Sequence, residues 1–237
     1  MWQPGFATMT YATLAVTLGV SGKAAQEPPT DLPRLVAGLD LTEAGARRWL
    51  AQLVIDGDNA SLERLLAVTD TGAPLVRREG GKSSVRIDRK LDTLLLRHDM
   101  AIVLVHNHPA NSGLSRNDLW QLTKPGVAAI IAIGHEGSVF VASAGPRLDR
   151  DFFEESQYQV AKTELVKRLR AEWPSGRLSA AVSDAHLSHL VTRVLEKAGI
   201  VRYWFKLRGA GRESYERARV IFGQVVESAA VRLKKGE

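Results

Sequence analysis

Two histidines separated by one residue are the clearest chemical signal in this sequence. His106 and His108 follow the apolar run Ala101–Val105, which is short and rich in β-branched residues, as a buried strand is. Because side chains alternate along a strand, the two imidazoles project to the same side. Asp118 lies in the first turn of a helix that Ser115 is expected to cap. These three side chains can converge on one metal ion with a fourth corner open, which is typical of catalytic zinc.

The segments around these residues predict an α/β fold with a central mixed β-sheet flanked by helices. The predicted strands are residues 65–69, 73–78, 101–105, 127–133 and 138–142. The predicted helices are residues 42–54, 90–97 and 115–122. The two histidines then stand at the carboxyl end of a buried strand, where sites in open α/β sheets gather.

Composition changes along the chain predict three parts. Residues 1–33 form an N-terminal arm that ends in a Pro-rich linker, residues 34–148 form the α/β domain, and residues 149–237 form a basic helical extension. The helices expected in the extension are residues 152–173, 179–198 and 213–235. Between the last two, Tyr203-Trp204-Phe205 is an aromatic cluster that we expect to pack in the interior rather than to stack on nucleobases.

The composition narrows the chemistry and the location. The 237 residues include no cysteine, which excludes disulfides, a thiolate nucleophile and cysteine-ligated metal, so any metal must be held by histidine and carboxylate. Residues 7–20 are apolar but lack the basic residues that open an export signal. No other stretch approaches the ~18 apolar residues of a membrane span. We expect a cytoplasmic protein without membrane association.

The positive charge is concentrated in the C-terminal third. The net charge is +6, and residues 151–237 contribute most of it, with 16 Lys and Arg against 11 Asp and Glu. Basic residues on the outer faces of helices usually form a solvated surface. We therefore expect these helices to be solvated or to contact a protein partner, and we give a nucleic-acid surface less weight.

The remaining histidines offer weaker patterns. His186 and His189 stand three residues apart on a predicted helix, but no third ligand shares their spacing. We expect them to be surface or interhelical residues. His98 and His135 lie near a helix end and in a turn, where a structural or solvent-facing role is expected.

Residues 106–118 resemble the signature of the JAMM/MPN+ zinc metalloproteases, His-x-His-Pro followed by a short loop and Ser-x-x-Asp. The resemblance implies a JAMM/MPN core, which is cytidine-deaminase-like, and a zinc ion bound by His106, His108 and Asp118. It also implies that Ser115 holds the oxyanion or orients the water. The loop before Ser115 is one residue shorter than the common pattern. Asn107 stands where the peptidases have Ser or Thr, and it matches the RadC-like bacterial relatives.

The family further implies a glutamate from an upstream strand as general acid/base, and no motif fixes which residue this is. Glu79 ends the second predicted hairpin strand just before Gly80-Gly81, a position similar to that of the family's glutamate. We therefore predict Glu79 as the base. Glu63, at the start of the first strand, and Asp88, near a helix start where it can act as a cap, are the alternatives.

Two functions follow as expectations from the resemblance. The first is a zinc isopeptidase that removes or processes a ubiquitin-like protein, a deubiquitinase-like activity that in bacteria occurs beside conjugation genes, including antiphage systems. The second is a RadC-like or non-catalytic scaffold that binds DNA or a protein through its basic helical tail. The complete ligand set favours catalysis.

Overall fold

The computed structural model describes residues 39–54, 61–82 and 84–235. The strands found there are β1 (Arg64–Thr69), β2 (Pro74–Glu79), β3 (Ile102–His108), β4 (Val127–Gly134), β5 (Val139–Ala144) and β6 (Val201–Lys206). The helices found there are α1 (Glu43–Leu53), α2 (Arg89–Leu95), α3 (Arg116–Gln121), α4 (Gln159–Ala171), α5 (Ala180–Lys197) and α6 (Gly209–Lys235). A π-helical turn, Phe153–Tyr158, leads into α4. The predicted N-terminal arm and the apolar residues 7–20 lie outside the described residues.

The six strands form one mixed sheet in the order β2-β1-β3-β4-β5-β6. Strands β3 and β4 are parallel, and every other neighbouring pair is antiparallel. This confirms the predicted fold class of a mixed sheet packed with helices. The register places Leu65 of β1 opposite His106, and Gly134 of β4 opposite His108. The histidine end of β3 is thus enclosed by a strand on each side.

Helices cover both faces of the sheet, which explains the apolar character of β3. One face packs against α2, α3, α4, α5 and α6, and it includes Leu65, Leu104 and Ile130. The other face packs against α1, and it includes Leu66 and Val103. All residues of β3 are buried, as the continuous apolar run predicts for a strand covered on both sides.

The C-terminal segment contributes a strand as well as the expected helices. Strand β6 joins the sheet edge beside β5, and it contains the aromatic cluster Tyr203-Trp204-Phe205. Tyr203 is 3% exposed and its ring stacks on that of Phe205 at 5.7 Å, so the expected packing role is confirmed. The strand was not predicted because three consecutive aromatic residues interrupt the alternation of apolar and polar residues that marks a half-buried strand.

Candidate metal centre

The carboxyl end of β3 carries both histidines, as predicted. His106 and His108 are 2% and 3% exposed. Because Leu65 lies opposite His106 and belongs to the face that α2 to α6 cover, both imidazoles project toward those helices. The strand thus places two imidazole nitrogens that can bind a metal close together in the interior.

Asp118 reaches the same point from the first turn of α3. Ser115 Oγ accepts the Asp118 N–H at 3.2 Å, and the Asp118 carboxylate accepts the Ser115 N–H at 2.6 Å. This reciprocal capping box fixes the start of the helix, as the sequence predicts. It also fixes the orientation of the carboxylate, whose two oxygens face the histidines.

The three side chains form a compact ligand set. The two Nε2 atoms lie 2.8 Å apart, His106 Nε2 lies 3.3 Å from Asp118 Oδ1, and His108 Nε2 lies 3.5 Å from Asp118 Oδ2. Ligand atoms around a tetrahedral zinc ion stand about 3.3 Å apart. The residues therefore fit a divalent cation, and His106, His108 and Asp118 form a candidate metal site.

A backbone carbonyl sets the tautomer of one ligand. His108 Nδ1 donates to the Ser112 carbonyl oxygen at 2.8 Å, which leaves the lone pair of His108 Nε2 directed at the site. Among the described residues, the buried Nδ1 of His106 has no hydrogen-bond partner. The loop that follows β3 thus orients the imidazole ring of His108.

The charges of the site favour an ionised aspartate. Burial alone would raise the pKa of Asp118, but the imidazoles of His106 and His108 hold that pKa well below its usual range. Burial likewise disfavours the charged form of His108, yet the Asp118 carboxylate raises the pKa of His108 above its ordinary value. Asp118 is therefore a carboxylate at neutral pH, which is the state that binds metal.

Glu63 is the second carboxylate of the site. Its Oε1 lies 4.0 Å from His108 Nε2, and its side chain is 12% exposed. It lines the same cavity as His106, Ser115 and Asp118. Burial raises the pKa of Glu63, an effect that outweighs the opposing attraction of the histidines. A carboxyl group of this kind is suited to accept and return a proton.

The structure places Glu79, predicted as the base, away from the three side chains, whereas Glu63 lies beside them. Glu79 lies opposite Arg64 across β1 and β2, and its Oε2 is 3.2 Å from Arg64 Nε. Arg64 precedes Leu65 on the strand, so its side chain projects to the other face of the sheet from His106. Glu79 follows it there, and its side chain is 57% exposed.

Asp88, the third carboxylate considered as a base, caps a helix, as its position near a helix start allowed. Its side chain accepts the Leu91 N–H at 2.9 Å at the start of α2, and it pairs with Arg78 at 2.8 Å. It does not line the cavity.

The loop between β3 and α3 is held at two points. Asn111 adopts a left-handed φ of 55°, and its side chain accepts the Glu136 N–H at 3.0 Å. Gly113 packs directly against α5, where a Cβ would meet the backbone nitrogen of His189 at 2.8 Å. The carbonyl of Ser112, which orients His108, lies between these two anchors.

Sequence reasoning did not identify the rest of the cavity wall. The additional lining residues are Leu65, Ser84, Val85, Ile87, Asn117, Gln121 and Ile130. Asn117 and Gln121 are four residues apart on α3, and Gln121 is three residues after Asp118. Helical spacing from Asp118 was therefore a signal that could have found this part of the wall.

The second histidine pair lies between helices, which is one of the two placements expected for it. His186 and His189 are buried, and His186 lies against the ring of Phe222 on α6. His186 Nε2 contacts Ser214 Oγ at 2.7 Å, and His189 Nδ1 contacts Tyr203 Oη at 2.9 Å. These residues belong to an aromatic cluster between α5, α6 and β6.

Comparisons with profiles of known protein families, with curated protein sequences and with solved structures found no match. The resemblance to the JAMM/MPN+ signature therefore rests on residues 106–118. The geometry of the candidate site is an observation independent of that resemblance. Within the described parts of the chain, no helix combines the length and apolarity needed to cross a membrane.

Proposed function

We propose that this chain is a zinc-dependent peptidase of the JAMM type, which cleaves an amide or isopeptide bond at the carboxyl terminus of a ubiquitin-like protein. The observation that carries the proposal is the placement of a buried glutamate beside a three-ligand group. Glu63 lies 4.0 Å from His108 Nε2, in a cavity that His106 and Asp118 also line. A metal-dependent hydrolase needs a metal ion with an open coordination position and a general base beside it.

The donor set suits zinc. Magnesium and calcium prefer ligand sets made of oxygen, whereas two imidazoles and one carboxylate are common at catalytic zinc. His106, His108 and Asp118 would hold the ion, and Ser112 orients His108 through its carbonyl. A bound zinc ion would polarise the scissile carbonyl and make water a nucleophile near neutral pH.

Glu63 is proposed to move the proton. It accepts a proton from the attacking water and returns it to the leaving nitrogen, so the amine departs in neutral form. Its position supports this transfer, because Glu63 Oε1 lies 4.0 Å from His108 Nε2 and would therefore be close to a water held at the site.

Ser115 is proposed to stabilise the oxyanion. Its Oγ accepts the Asp118 N–H, so its own O–H remains available to donate. The residue lines the cavity beside His106 and Asp118. A donor directed at developing negative charge stabilises the transition state more than the ground state.

The ubiquitin-like substrate is supported by the resemblance of residues 106–118 and by one feature of the fold. Strand β2 is an edge of the sheet, and the segment that follows it contributes Ser84, Val85 and Ile87 to the cavity wall. An extended peptide tail can add to an edge strand through backbone hydrogen bonds. A flexible carboxyl-terminal tail is the part of a ubiquitin-like protein that would fit this arrangement.

The test is a cleavage assay on fusions of ubiquitin-like proteins. Wild-type protein loaded with zinc should cleave at the carboxyl terminus of one such protein, and Glu63→Gln should not. Glu79→Gln is the matched control, since it removes the same charge on the other sheet face, and it should cleave like wild type. If wild type binds zinc but cleaves none of these fusions, and binds DNA with steep salt dependence, the scaffold function replaces this proposal.

A further inference from the structure

Asn107, the residue between the two histidines, is fully buried and makes hydrogen bonds that its neighbours do not. Its Oδ1 accepts the backbone N–H of Arg64 at 2.7 Å, and its Nδ2 donates to the carbonyl oxygen of Leu62 at 3.0 Å. Both partners belong to the chain that enters β1. The side chain of Asn107 thus bonds to the residues immediately before and immediately after Glu63.

The orientation of the Asn107 amide is fixed by these two partners. A backbone N–H can only donate and a carbonyl can only accept, so the amide oxygen must face Arg64 and the amide nitrogen must face Leu62. The second hydrogen of Nδ2 is directed at His135 Nε2, at 3.0 Å. Both hydrogens and the oxygen of the amide are therefore used.

The side chain of Asn107 extends the strand pairing beyond the backbone ladder. The register between β1 and β3 runs from Thr69↔Ile102 to Leu65↔His106. Just before Leu65, the Asn107 amide provides the connection between the two chains. The backbone of Glu63 also bonds to the chain that follows β2. Its N–H donates to the Gly81 carbonyl oxygen at 2.7 Å, and its carbonyl oxygen accepts the Gly80 N–H at 2.9 Å.

We propose that Asn107 is a positioning residue that holds Glu63 at a fixed place relative to the two histidine ligands. The inference rests on the proposed function, in which Glu63 is the general base. Asn107 stands between His106 and His108 on β3, so one rigid strand carries both ligands and also restrains the base. In this chain, serine would be too short to bond to both Leu62 and Arg64, and alanine has no polar group, so neither could replace both bonds of Asn107.

The test compares Asn107→Ala with His135→Ala. Asn107→Ala removes both bonds to the flanks of Glu63, whereas His135→Ala removes only the third partner of the amide. We expect kcat of the zinc-loaded Asn107→Ala protein to fall about 10- to 100-fold while KM and zinc affinity stay close to wild type. His135→Ala should retain the wild-type kcat. If the alanine variant does not fold, Asn107→Ser, which can keep one of the two bonds, carries the same expectation with a smaller loss.

A purely structural role gives a different result. It would lower the yield or the thermal stability, but each folded and zinc-loaded molecule would keep the wild-type kcat. That outcome overturns the inference. Equal losses of zinc affinity and kcat would also overturn it, since they would place the effect on His106 and His108 rather than on Glu63.

A second readout separates this inference from the proposed function. Hydrogen exchange of the Arg64 amide should be about tenfold faster in Asn107→Ala than in His135→Ala, while amides of β4 keep their rates. If wild type hydrolyses no substrate but this difference is found, Asn107 positions Glu63 and only the proposed function fails. If the Arg64 amide exchanges equally in both variants, the positioning role itself is wrong.

Discussion

Glu63 and Glu79 project from opposite faces of the β1–β2 pair, although their backbones are close enough for Gly80 to donate its N–H to the Glu63 carbonyl at 2.9 Å. Glu63 faces His108, and Glu79 faces Arg64. The alternation of side chains along β1 separates the two carboxylates. Of the two, only Glu63 lines the cavity that His106 and Asp118 also line.

The first prediction follows from this separation. Glu63→Gln should lower kcat by about 10²- to 10⁴-fold, because it removes the proton acceptor without changing the shape of the side chain. Zinc content should stay at the wild-type level in this variant. Steady-state kinetics on a cleavable fusion, with zinc measured on the same samples, checks both expectations.

Glu79→Gln serves as its control. It should change kcat little, and it should lower the free energy of unfolding by about 1 kcal/mol, because the glutamine oxygen can still accept the hydrogen bond of the buried Arg64. A large loss of kcat in Glu79→Gln with normal activity in Glu63→Gln would reverse the assignment.

The sequence could predict that His106, His108 and Asp118 come together because their geometry is local. The spacing of His106 and His108 on a strand and the capping box at Ser115 both follow from rules about neighbouring residues. Glu63 could not be chosen in the same way, since its place depends on which face of β1 it occupies. Residues 64–68 are buried on both faces, so no hydrophobic alternation marks the phase of the strand.

Most strands and helices of the fold were also predictable from local patterns. Continuous apolar runs identified β3 and β4, and helical periodicity identified α4, α5 and α6. The edge strand β6 was missed because its pairing with β5 is a tertiary contact between distant parts of the chain. The hydrogen bonds of Asn107 to Leu62 and Arg64 were missed for the same reason, since they join residues more than 40 positions apart.

Ser115 has two roles that substitutions can separate. Ser115→Ala removes the N-cap of α3 and should lower the free energy of unfolding by about 1 kcal/mol. Ser115→Gly should restore most of that stability, because glycine at an N-cap costs only about a few tenths of a kcal/mol. Both variants lose the hydroxyl and gain no other side-chain donor, so kcat should fall by about 10²- to 10³-fold in each. Chemical denaturation and kinetics measure the two effects, and an active Ser115→Gly protein would contradict the oxyanion role.

Gly113 sets the position of the loop that supports His108. In Gly113→Ala, the added Cβ would lie 2.8 Å from the His189 backbone nitrogen, so the loop must move away from α5. We expect the free energy of unfolding to fall by about 1–3 kcal/mol and zinc affinity to fall about tenfold.

Gly223→Ala on α6 is the matched control for this change. Its Cβ would meet no atom within 4 Å, so it should add about 0.5–1 kcal/mol of stability through helix propensity. Zinc affinity, measured by competition with a chelator, should not change. Unchanged affinity in Gly113→Ala as well would show that the loop does not depend on its contact with α5.

His189 predicts how stability depends on pH. Burial, assisted by the charges of Arg193 and His186, holds the pKa of His189 well below its usual range, so the folded protein keeps this imidazole neutral. The unfolded chain takes up a proton below about pH 6.5. The unfolded state then binds more protons, so stability decreases as pH falls from about 6.5, by slightly more than 1 kcal/mol per pH unit for this group.

The variant His189→Phe tests this pH dependence. Phenylalanine suits the surrounding rings and does not titrate, so the slope of stability against pH between about 6.5 and 5 should decrease by close to one proton. His186, whose pKa burial also lowers, should account for part of the remaining slope. Urea unfolding at several pH values gives the slope, and an unchanged slope in the variant would show that His189 does not titrate on unfolding.

The central claim is that His106, His108 and Asp118 together bind one divalent metal ion, and zinc titration with elemental analysis tests it most directly. Wild type and Glu63→Gln should each hold about one zinc ion per chain, and Asp118→Ala and His106→Ala should lose it. Zinc-free wild-type protein, or an Asp118→Ala protein that holds zinc as tightly as wild type, would contradict the account.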